Sequence, residues 1–342
     1  MAAELLDFEE PVGVLLKEID ALSMMPQTEA RAADIARLRG RVTELRAELF
    51  GALTPWQVVQ VSRHAGRPGT LDYIERLFTD FVELHGDRRF ADDPAIVCGM
   101  AVYHGEPVLV VGHQKGRTTK EKIARNFGYA RPEGYRKALR AMRLAEKFRR
   151  PIIVFVDTPA AYPGIESEER GVAEAIALNL REMAVIEVPI VIVVCGEGGS
   201  GGALGIAVGD RVLIQRFAIF SVIPPEGCSA ILWRDANRKV EAAAALKLTA
   251  PDLLKAGIVD EIVPEPVGGA HQDPGLAVQL VDEAIRRTLA EVSAMPVAAR
   301  LDQRYGRLRQ MGRLGVDFAD TAANAGEPAK PAGPASRASR SN

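Results

Sequence analysis

Glycines are concentrated in one short stretch of the sequence, CGEGGSGGALGIAVGD at 195–210, with five of them between Gly196 and Gly202. The stretch follows the apolar run IVIVV at 190–194 and precedes a helical pattern, so it connects a buried strand to a helix. Glycine lets backbone approach a ligand closely and adopt a positive φ. The N–H groups of a first helical turn point at negative charge. We therefore expect a cradle for an anion or oxyanion; the alternative is a plain tight turn.

A second loop, DTPAAYPGIESEERG at 157–171, follows an equivalent apolar run, IIVFV at 152–156. Its prolines and glycine make it rigid, and ligands of α/β proteins bind at the carboxyl edge of the sheet, where such loops lie. Asp157 is expected to cap the loop rather than to catalyse. A dinucleotide site is disfavoured, because no acidic residue ends a following strand about 20 residues after the glycines.

Four cations fall within eight residues of the segment HQKGRTTKEK at 113–122. They are Lys115, Arg117, Lys120 and Lys122. Such a cluster steers an anionic partner, for example CoA phosphates or an acidic carrier protein, or it is simply a solvated loop and helix face. The sequence leaves both interpretations open. His113, inside the same segment, is expected to be structural.

Strands and helices alternate from about residue 95, which predicts an α/β architecture with largely parallel strands. A hairpin is expected at 96–112 around His104-Gly105-Glu106, and a helix at 132–148. The unit of strand, glycine-rich turn and helix occurs twice, and Ile152 and Ile190 open the equivalent strands. Both candidate loops should therefore lie at one edge of the sheet.

Residues 1–52 are expected to form a separate helical arm. Apolar residues recur every three or four positions from Ile35 to Leu49, and the same spacing runs from Leu15 to Leu22. A proline in MMPQT (24–28) separates the two segments. An antiparallel helix pair results, whose apolar seam packs either on its own chain or on a partner.

Composition narrows the classes of function. The 342 residues carry a net charge of −2, which argues against a dedicated nucleic-acid binder. No apolar run is long enough to span a membrane, and the N-terminus does not have the pattern of a signal peptide. Three separated cysteines, without a CxxC pair, predict buried thiols in a reducing cytoplasm and exclude a zinc ribbon. The last eighteen residues contain thirteen Ala, Gly, Pro or Ser and are expected to be disordered.

Several long motifs occur in one order along the chain. They are RPGTLDYIERLF (67–78), HGDRRFADDPAIV (85–97), GHQKGRTTKEKIARNFG (112–128), PEGYRKALR (132–140), DTPAAYPG (157–164), EERG (168–171), GEGGSGGAL (196–204) and PEGCSAILW (225–233). Together they resemble the carboxyltransferase α subunit of bacterial-type, multi-subunit acetyl-CoA carboxylase. The resemblance covers residues 5–318.

This resemblance implies a crotonase-type (ClpP/crotonase) α/β fold, a spiral of ββα units. The implied division is an N-terminal helical arm at 1–52, a carboxyltransferase domain at 53–318 and a disordered tail at 319–342. Implied partners are the carboxyltransferase β subunit, in an α2β2 assembly and with the family's zinc ribbon, the biotin carboxyl carrier protein and biotin carboxylase. The implied cytoplasmic reaction moves carboxyl from carboxybiotin on the carrier to acetyl-CoA. It forms malonyl-CoA, the first committed step of fatty-acid synthesis, with no metal in this chain.

The implied chemistry needs fixed N–H donors, because charge develops on the biotin ureido oxygen and on the thioester oxygen. One such donor is worth roughly 2.7–4 kcal/mol in comparable oxyanion holes. The resemblance assigns the biotin donors to Gly201 and Gly202. The residues expected to shape the same turn are Gly198, Gly199 and Ser200, and those expected to line the pocket are Ala161, Tyr162 and Gly164. We expect the turn to face solvent at the sheet edge and to bury little apolar area.

Some positions depart from the usual family pattern: Ala160, Glu166, Ser167, Val172 and Pro224. They leave open another acyl-CoA as substrate. An enoyl-CoA hydratase is disfavoured, because Gly205 stands where one required glutamate belongs and only Glu226 matches the other. A Clp-type protease with Ser200 as nucleophile has only His271 downstream before the tail, and is rejected. A non-catalytic assembly subunit is disfavoured by the intact glycine-rich segment.

Overall fold

The structure of the chain, a computed structural model, describes residues 5–26 and 28–311. The predicted tail at 319–342 lies outside these residues. Eight strands form one sheet in the described part. They are β1 (Thr79–Glu83), β2 (Ile96–Tyr103), β3 (Glu106–His113), β4 (Ile152–Thr158), β5 (Ile190–Gly199), β6 (Arg211–Gln215), β7 (Ile219–Ser221) and β8 (Glu261–Val263).

The sheet runs in the order β1-β2-β3-β4-β5-β6-β8, and β7 pairs with the end of β5. The first three strands are antiparallel and the others pair in parallel. The predicted hairpin is confirmed: β2 and β3 are joined by His104 and Gly105, with φ of 47° and 87°. Positive φ at both turn residues matches the right-handed twist of the flanking strands.

Helices surround the sheet. They are α1 (Glu10–Ser23), α2 (Glu29–Gly51), α3 (Pro55–Ser62), α4 (Thr70–Leu77), α5 (Thr119–Ala124), α6 (Pro132–Lys147), α7 (Ile165–Glu169), α8 (Val172–Val185), α9 (Ser200–Leu204), α10 (Pro225–Trp233), α11 (Lys239–Leu246), α12 (Ala250–Lys255), α13 (Pro274–Ser293) and α14 (Val297–Gln310), with 3₁₀ turns at Asp7–Glu9, Asn126–Gly128 and Ala236–Arg238. Across the described ranges, no helix is both long and apolar enough to cross a membrane.

The central strands are buried on both faces, which explains their continuous apolar runs. Ile152 and Ile190 belong to the core beneath α6 and α8, while Ile153 and Val191 belong to the core beneath α4 and α13. Ile152 pairs directly with Ile190, as the repeated sequence unit predicts. This shared register brings the carboxyl ends of β4 and β5 together, so the two candidate loops meet.

The predicted helix pair is also confirmed. The seam of α1 and α2 forms one buried cluster that includes Val12 and Val42, so it packs within its own chain. Phe50 lies near the end of α2. The centroid of its ring is 5.7 Å from that of Phe8 and 5.5 Å from that of Phe217. These contacts join the pair to the sheet-bearing part of the chain.

The last described helix, α14, is fastened by a buried arginine. Arg304 Nε donates to Asp210 Oδ1 at 2.9 Å, and Nη1 donates to the carbonyls of Met183 and Ile186 at 2.7 and 2.8 Å. Asp210 also accepts the N–H of Ile190 at 2.8 Å. The pair of Arg304 and Asp210 thus connects the end of α8, the start of β5 and the turn before β6.

Candidate functional site

The glycine-rich segment is mostly strand. β5 continues through Gly199, where it pairs with β7 at Ser221, and Gly198 pairs with both Thr158 and Phe220. The expectation that Gly198 and Gly199 shape a turn is therefore wrong. The change of direction is confined to the junction at Ser200, where α9 begins.

The glycines are explained by the close approach of another segment of the same chain, and not of a ligand. A Cβ on Gly199 would overlap the carbonyl of Pro159, and one on Gly202 would overlap the backbone of Ala160 and Ala161. A Cβ on Gly196 would overlap the carboxylate of Asp157. The segment and the loop after β4 therefore lie in direct contact, which only glycine permits.

Left-handed backbone occurs at one residue of this segment, and that residue is not a glycine. Ser200 has a φ of 52°, while none of the segment's glycines between 196 and 205 has a positive φ. The expectation that a glycine supplies this conformation is wrong. Serine in this conformation is uncommon and carries a conformational cost.

The two expected donors differ in accessibility. Gly201 is partly exposed, and a Cβ there would meet only Ile176, at 3.5 Å. Gly202 is buried. The expected solvent-facing turn is thus found at Gly201 and not at Gly202.

Gly201 opens onto a cavity of about 240 Å³, which we call the apolar cavity. Its wall includes Ser200, Gly201, Leu204, Phe220, Val222 and Leu308. Leu204 and Val222 are 43% and 74% exposed, so the cavity is open on the side where these two residues lie. Its lining residues carry no ionisable side chain.

The three residues expected on the neighbouring loop lie beside the glycine segment and are partly exposed. Ala161 bridges to Ala130, whose carbonyl accepts the N–H of Tyr162 at 2.9 Å. The guanidinium of Arg131 lies 4.7 Å from the centroid of the Tyr162 ring. A Cβ on Gly164 would overlap that same ring. The structure brings these residues together, although their contact with a ligand remains a prediction.

A second cavity, of about 350 Å³, has Pro159 in its wall; we call it the polar cavity. Its wall includes Arg63, Lys115, Arg117, Lys122, Asp157 and Glu197. Lys115 Nζ lies 2.7 Å from both Asp157 Oδ1 and Glu197 Oε2. Burial by itself would lower the pKa of Lys115, but these two carboxylates raise it. Lys115 is therefore a charged structural residue, unlike the exposed Lys120.

Asp157 Oδ1 accepts the N–H of Glu197, on the neighbouring strand β5, at 2.9 Å, so this carboxylate links two strands; a role in capping its own loop stays a prediction. Glu197 also accepts from Arg63 Nε at 2.6 Å, and Arg63 Nη1 binds Glu226 at 2.5 Å. Burial would raise the pKa of Glu197, but Lys115 and Arg63 outweigh it and hold that pKa below its ordinary value. The network joins α3, β4, β5 and α10 beneath the glycine segment.

Arg63 belongs to this network although no sequence pattern indicates it. Nothing in PWQVVQVSRHAG (55–66) marks this arginine as different from any other charge that follows a helix. Its partners, Glu197 and Glu226, are 134 and 163 residues away along the chain. Only the assembled sheet reveals that these charges meet.

The rival enzymes fit this geometry poorly. A Cβ on Gly205 would lie 2.7 Å from the ring of Tyr135, so the glutamate that hydration requires cannot stand there. Glu226 is paired with Arg63. His271 stacks on His64 at 3.9 Å rather than facing a serine, which agrees with the rejection of a serine protease.

The cysteines are free and buried, as predicted: Cys98, Cys195 and Cys228. Burial raises the pKa of the Cys98 thiol to about 11, so it stays protonated at neutral pH.

The family model described as "Acetyl co-enzyme A carboxylase carboxyltransferase-like" matches residues 5–312. Curated relatives agree. The chain is 56% identical to an acetyl-coenzyme A carboxylase carboxyl transferase subunit alpha of Geobacter metallireducens, over 90% of this chain and 97% of the relative. It is 53% identical to the protein of that name from Thioalkalivibrio sulfidiphilus, over 91% of this chain and 98% of the relative.

Solved structures show the same fold at low identity. A transcarboxylase 12S structure matches with a TM-score of 0.53 at 20% identity, over 66% of this chain and 42% of that one. This chain thus spans less than half of the transcarboxylase chain. A subunit of a Pseudomonas malonate decarboxylase hetero-tetramer in complex with coenzyme A matches with a TM-score of 0.52 at 17% identity. The match covers 64% of this chain and 87% of that one. The crotonase-type fold is thereby confirmed.

Proposed function

Because this chain belongs to the family of acetyl-CoA carboxylase carboxyltransferase α subunits, we propose that its apolar cavity receives the biotin group from which carboxyl is transferred to acetyl-CoA. Biotin-dependent carboxyl transfer is the chemistry of this family, and malonyl-CoA formation for fatty-acid synthesis follows from it. The observation that carries the proposal is the position of Gly201, partly exposed on the cavity wall in the first turn of α9.

The residues present fit such a group. The first N–H groups of a helix have no intrahelical acceptor, and the missing side chain at Gly201 leaves room for an oxygen. When bound, the biotin group supplies the carboxyl that is transferred. The backbone N–H groups of Gly201 and Gly202 donate hydrogen bonds to an oxygen whose negative charge grows during transfer. Fixed donors in an apolar surrounding favour the charged transition state over the ground state.

The other site residues hold these donors in place. The loop from Pro159 to Ala161 packs against Gly199 and Gly202 and prevents the first turn of α9 from moving. Leu204 and Phe220 give the donors an apolar surrounding, in which each hydrogen bond is stronger than in water. That Ala161, Tyr162 and Gly164 contact the substrate from the loop side remains a prediction.

The open side of the cavity supports the rest of the proposal. The exposed side chains of Leu204 and Val222 favour a second subunit that completes the wall and holds the acyl-CoA. We assign this part to the carboxyltransferase β subunit in an α2β2 assembly, with biotin delivered by the carrier protein after biotin carboxylase has loaded it. The boundaries at 52 and 318, the cytoplasmic location and the absence of a metal remain predictions.

The test is carboxyl transfer by purified chains. We expect malonyl-CoA from the α–β pair with carboxybiotin and none from this chain alone; turnover by the isolated chain would contradict the shared site. Gly201→Ala should lower kcat about 10²-fold, because a methyl group holds the oxygen away from its donors. The matched control is Gly40→Ala, in open space on α2, which should leave kcat unchanged. A Gly201→Ala complex with normal kcat would exclude this site.

A further inference from the structure

Ser200 is a serine at the position of the glycine segment where a glycine would be conformationally easiest. Its φ of 52° lies in the left-handed region, which glycine enters freely and serine does not. The residues on both sides, Gly199 and Gly201, are glycines that do not use that region. The backbone therefore gives no reason for a side chain at 200, and the reason must lie in the hydroxyl.

The surroundings of Ser200 leave that hydroxyl available. Ser200 is partly exposed and lies on the wall of the apolar cavity, next to Gly201. Within residues 5–26 and 28–311, its Oγ takes part in no hydrogen bond. Ser221, on the strand paired with Gly199, differs: its Oγ donates to the carbonyl of Ile223 at 2.9 Å. A hydroxyl at the mouth of an apolar cavity gains most from a ligand that accepts a hydrogen bond.

The residues that line the cavity indicate whether the Ser200 hydroxyl acts as a nucleophile or as a hydrogen-bond donor. A serine nucleophile needs a base that removes its proton. The lining of this cavity offers no ionisable group, and His271 stacks on His64. The hydroxyl therefore keeps its proton and acts as a donor.

We infer that the Ser200 hydroxyl is a third hydrogen-bond donor, beside the N–H groups of Gly201 and Gly202, to the anionic oxygen of the biotin group. This inference rests on the proposed function of the cavity. It makes Ser200 a catalytic residue that forms and breaks no covalent bond. Its left-handed backbone is the conformational cost of placing that hydroxyl at the first turn of α9.

The experiment compares Ser200→Gly and Ser200→Ala in the assembled α–β complex. Both remove the hydroxyl, but the glycine variant also relieves the left-handed backbone. We expect kcat to fall about 10²-fold in both variants, as for loss of one oxyanion donor. The affinity for free biotin, measured by calorimetry without carrier, should fall less, roughly threefold, because the ground-state oxygen carries little charge. The Tm of Ser200→Gly should equal or exceed that of the wild type.

Thr43→Val is the control, because it removes a hydroxyl on α2 whose hydrogen bond, to the carbonyl of Arg39 at 3.1 Å, is internal. It should keep wild-type kcat and biotin affinity. If either Ser200 variant is folded, assembled and within threefold of wild-type kcat, the inference is wrong. If Ser200→Gly lowers kcat only together with Tm, the residue is merely structural and the inference is also wrong. A wild-type pair that neither transfers carboxyl nor binds biotin would overturn the proposed function, and this inference with it.

Discussion

Glu197 Oε2 accepts a hydrogen bond from Lys115 Nζ at 2.7 Å, so the loop after β3 is tied by an ion pair to the strand that ends beside Ser200. The side chain of Glu197 is 8% exposed and that of Lys115 is 20% exposed. Because both side chains are largely buried, water can only poorly replace the ion pair when one of the two charges is removed.

Glu197→Gln should therefore destabilise the chain. Breaking a buried pair costs about 3–5 kcal/mol, and the remaining partners Asp157 and Glu226 place the expected loss near 3 kcal/mol. Because the pKa of Glu197 is held down, its contribution is present above about pH 4.5 and disappears as the pH falls further. Urea unfolding at pH 7 and pH 3.5 measures both values, and the difference between the two proteins should be smaller at the lower pH. Glu241→Gln, in an exposed pair with Arg238, is the control. Equal stabilities at pH 7 would contradict the prediction.

Gly202→Ala and Gly201→Ala should separate packing from catalysis. The methyl group at 202 meets the backbone of Ala160 and Ala161, so we expect a loss of about 1–3 kcal/mol of unfolding free energy. The methyl group at 201 meets only Ile176, and thermal unfolding should show no loss. If Gly202→Ala melted like the wild type, the contact between the loop and α9 would be looser than the structure indicates.

His271 should make stability depend on pH. Burial and the neighbouring His64 and Arg67 lower the pKa of His271 to about 3. The unfolded chain takes up a proton near pH 6.5 and the folded chain does not, so stability falls as the pH drops from 6.5 towards 3. The slope from one such histidine is at most about 1.4 kcal/mol per pH unit. His271→Phe should flatten the curve of unfolding free energy against pH by up to that amount. At pH 8 the histidine is neutral in both the folded and the unfolded chain, so the difference between the two proteins there measures packing alone. If the curves of the wild type and His271→Phe ran parallel below pH 6.5, the prediction would be wrong.

Arg304→Met should cost about 3–5 kcal/mol, because it leaves Asp210 charged and buried and the carbonyls of α8 without their donor. Denaturant unfolding measures the loss. Tyr305→Ala, one residue away and 67% exposed, is the control and should change little. A loss smaller than 1 kcal/mol would show that water replaces the guanidinium.

Lys120 and Lys122 are the cations of the 113–122 segment that form no ion pair within the described ranges. Changing both to Ala should raise KM about threefold at low salt and leave kcat unchanged, because screened charges act on encounter. Steady-state transfer at two ionic strengths checks this, with Lys17→Ala/Lys255→Ala as an exposed control pair. A KM change that persists at high salt would indicate direct contact instead.

The sequence predicted the elements of the fold well, because its apolar residues are grouped in a pattern typical of buried strands and amphipathic helices. The runs at 152–156 and 190–194 are apolar at every position, and they become the two central strands with Ile152 opposite Ile190. Details of the site depend on contacts between distant segments. That Gly202 is buried depends on the loop at Ala160, and that Lys115 is paired depends on Glu197; neither leaves a local pattern. The left-handed conformation of Ser200 likewise leaves no local pattern, because the segment offers glycines on both sides of it.

The ion pair between Arg304 and Asp210 joins residues that leave the ribosome at different times. The strand that leads to Ser200 begins beside Asp210, and the charge of Asp210 is compensated by a residue near the end of the described chain. Synthesis runs from the N-terminus, so the glycine segment and the loop after β4 leave the ribosome before Arg304 does. A chain that stops short of residue 300 lacks both arginines near Asp210 and retains a buried carboxylate without a cationic partner. We expect such a truncated chain to be less stable than the full chain and less able to join a partner subunit.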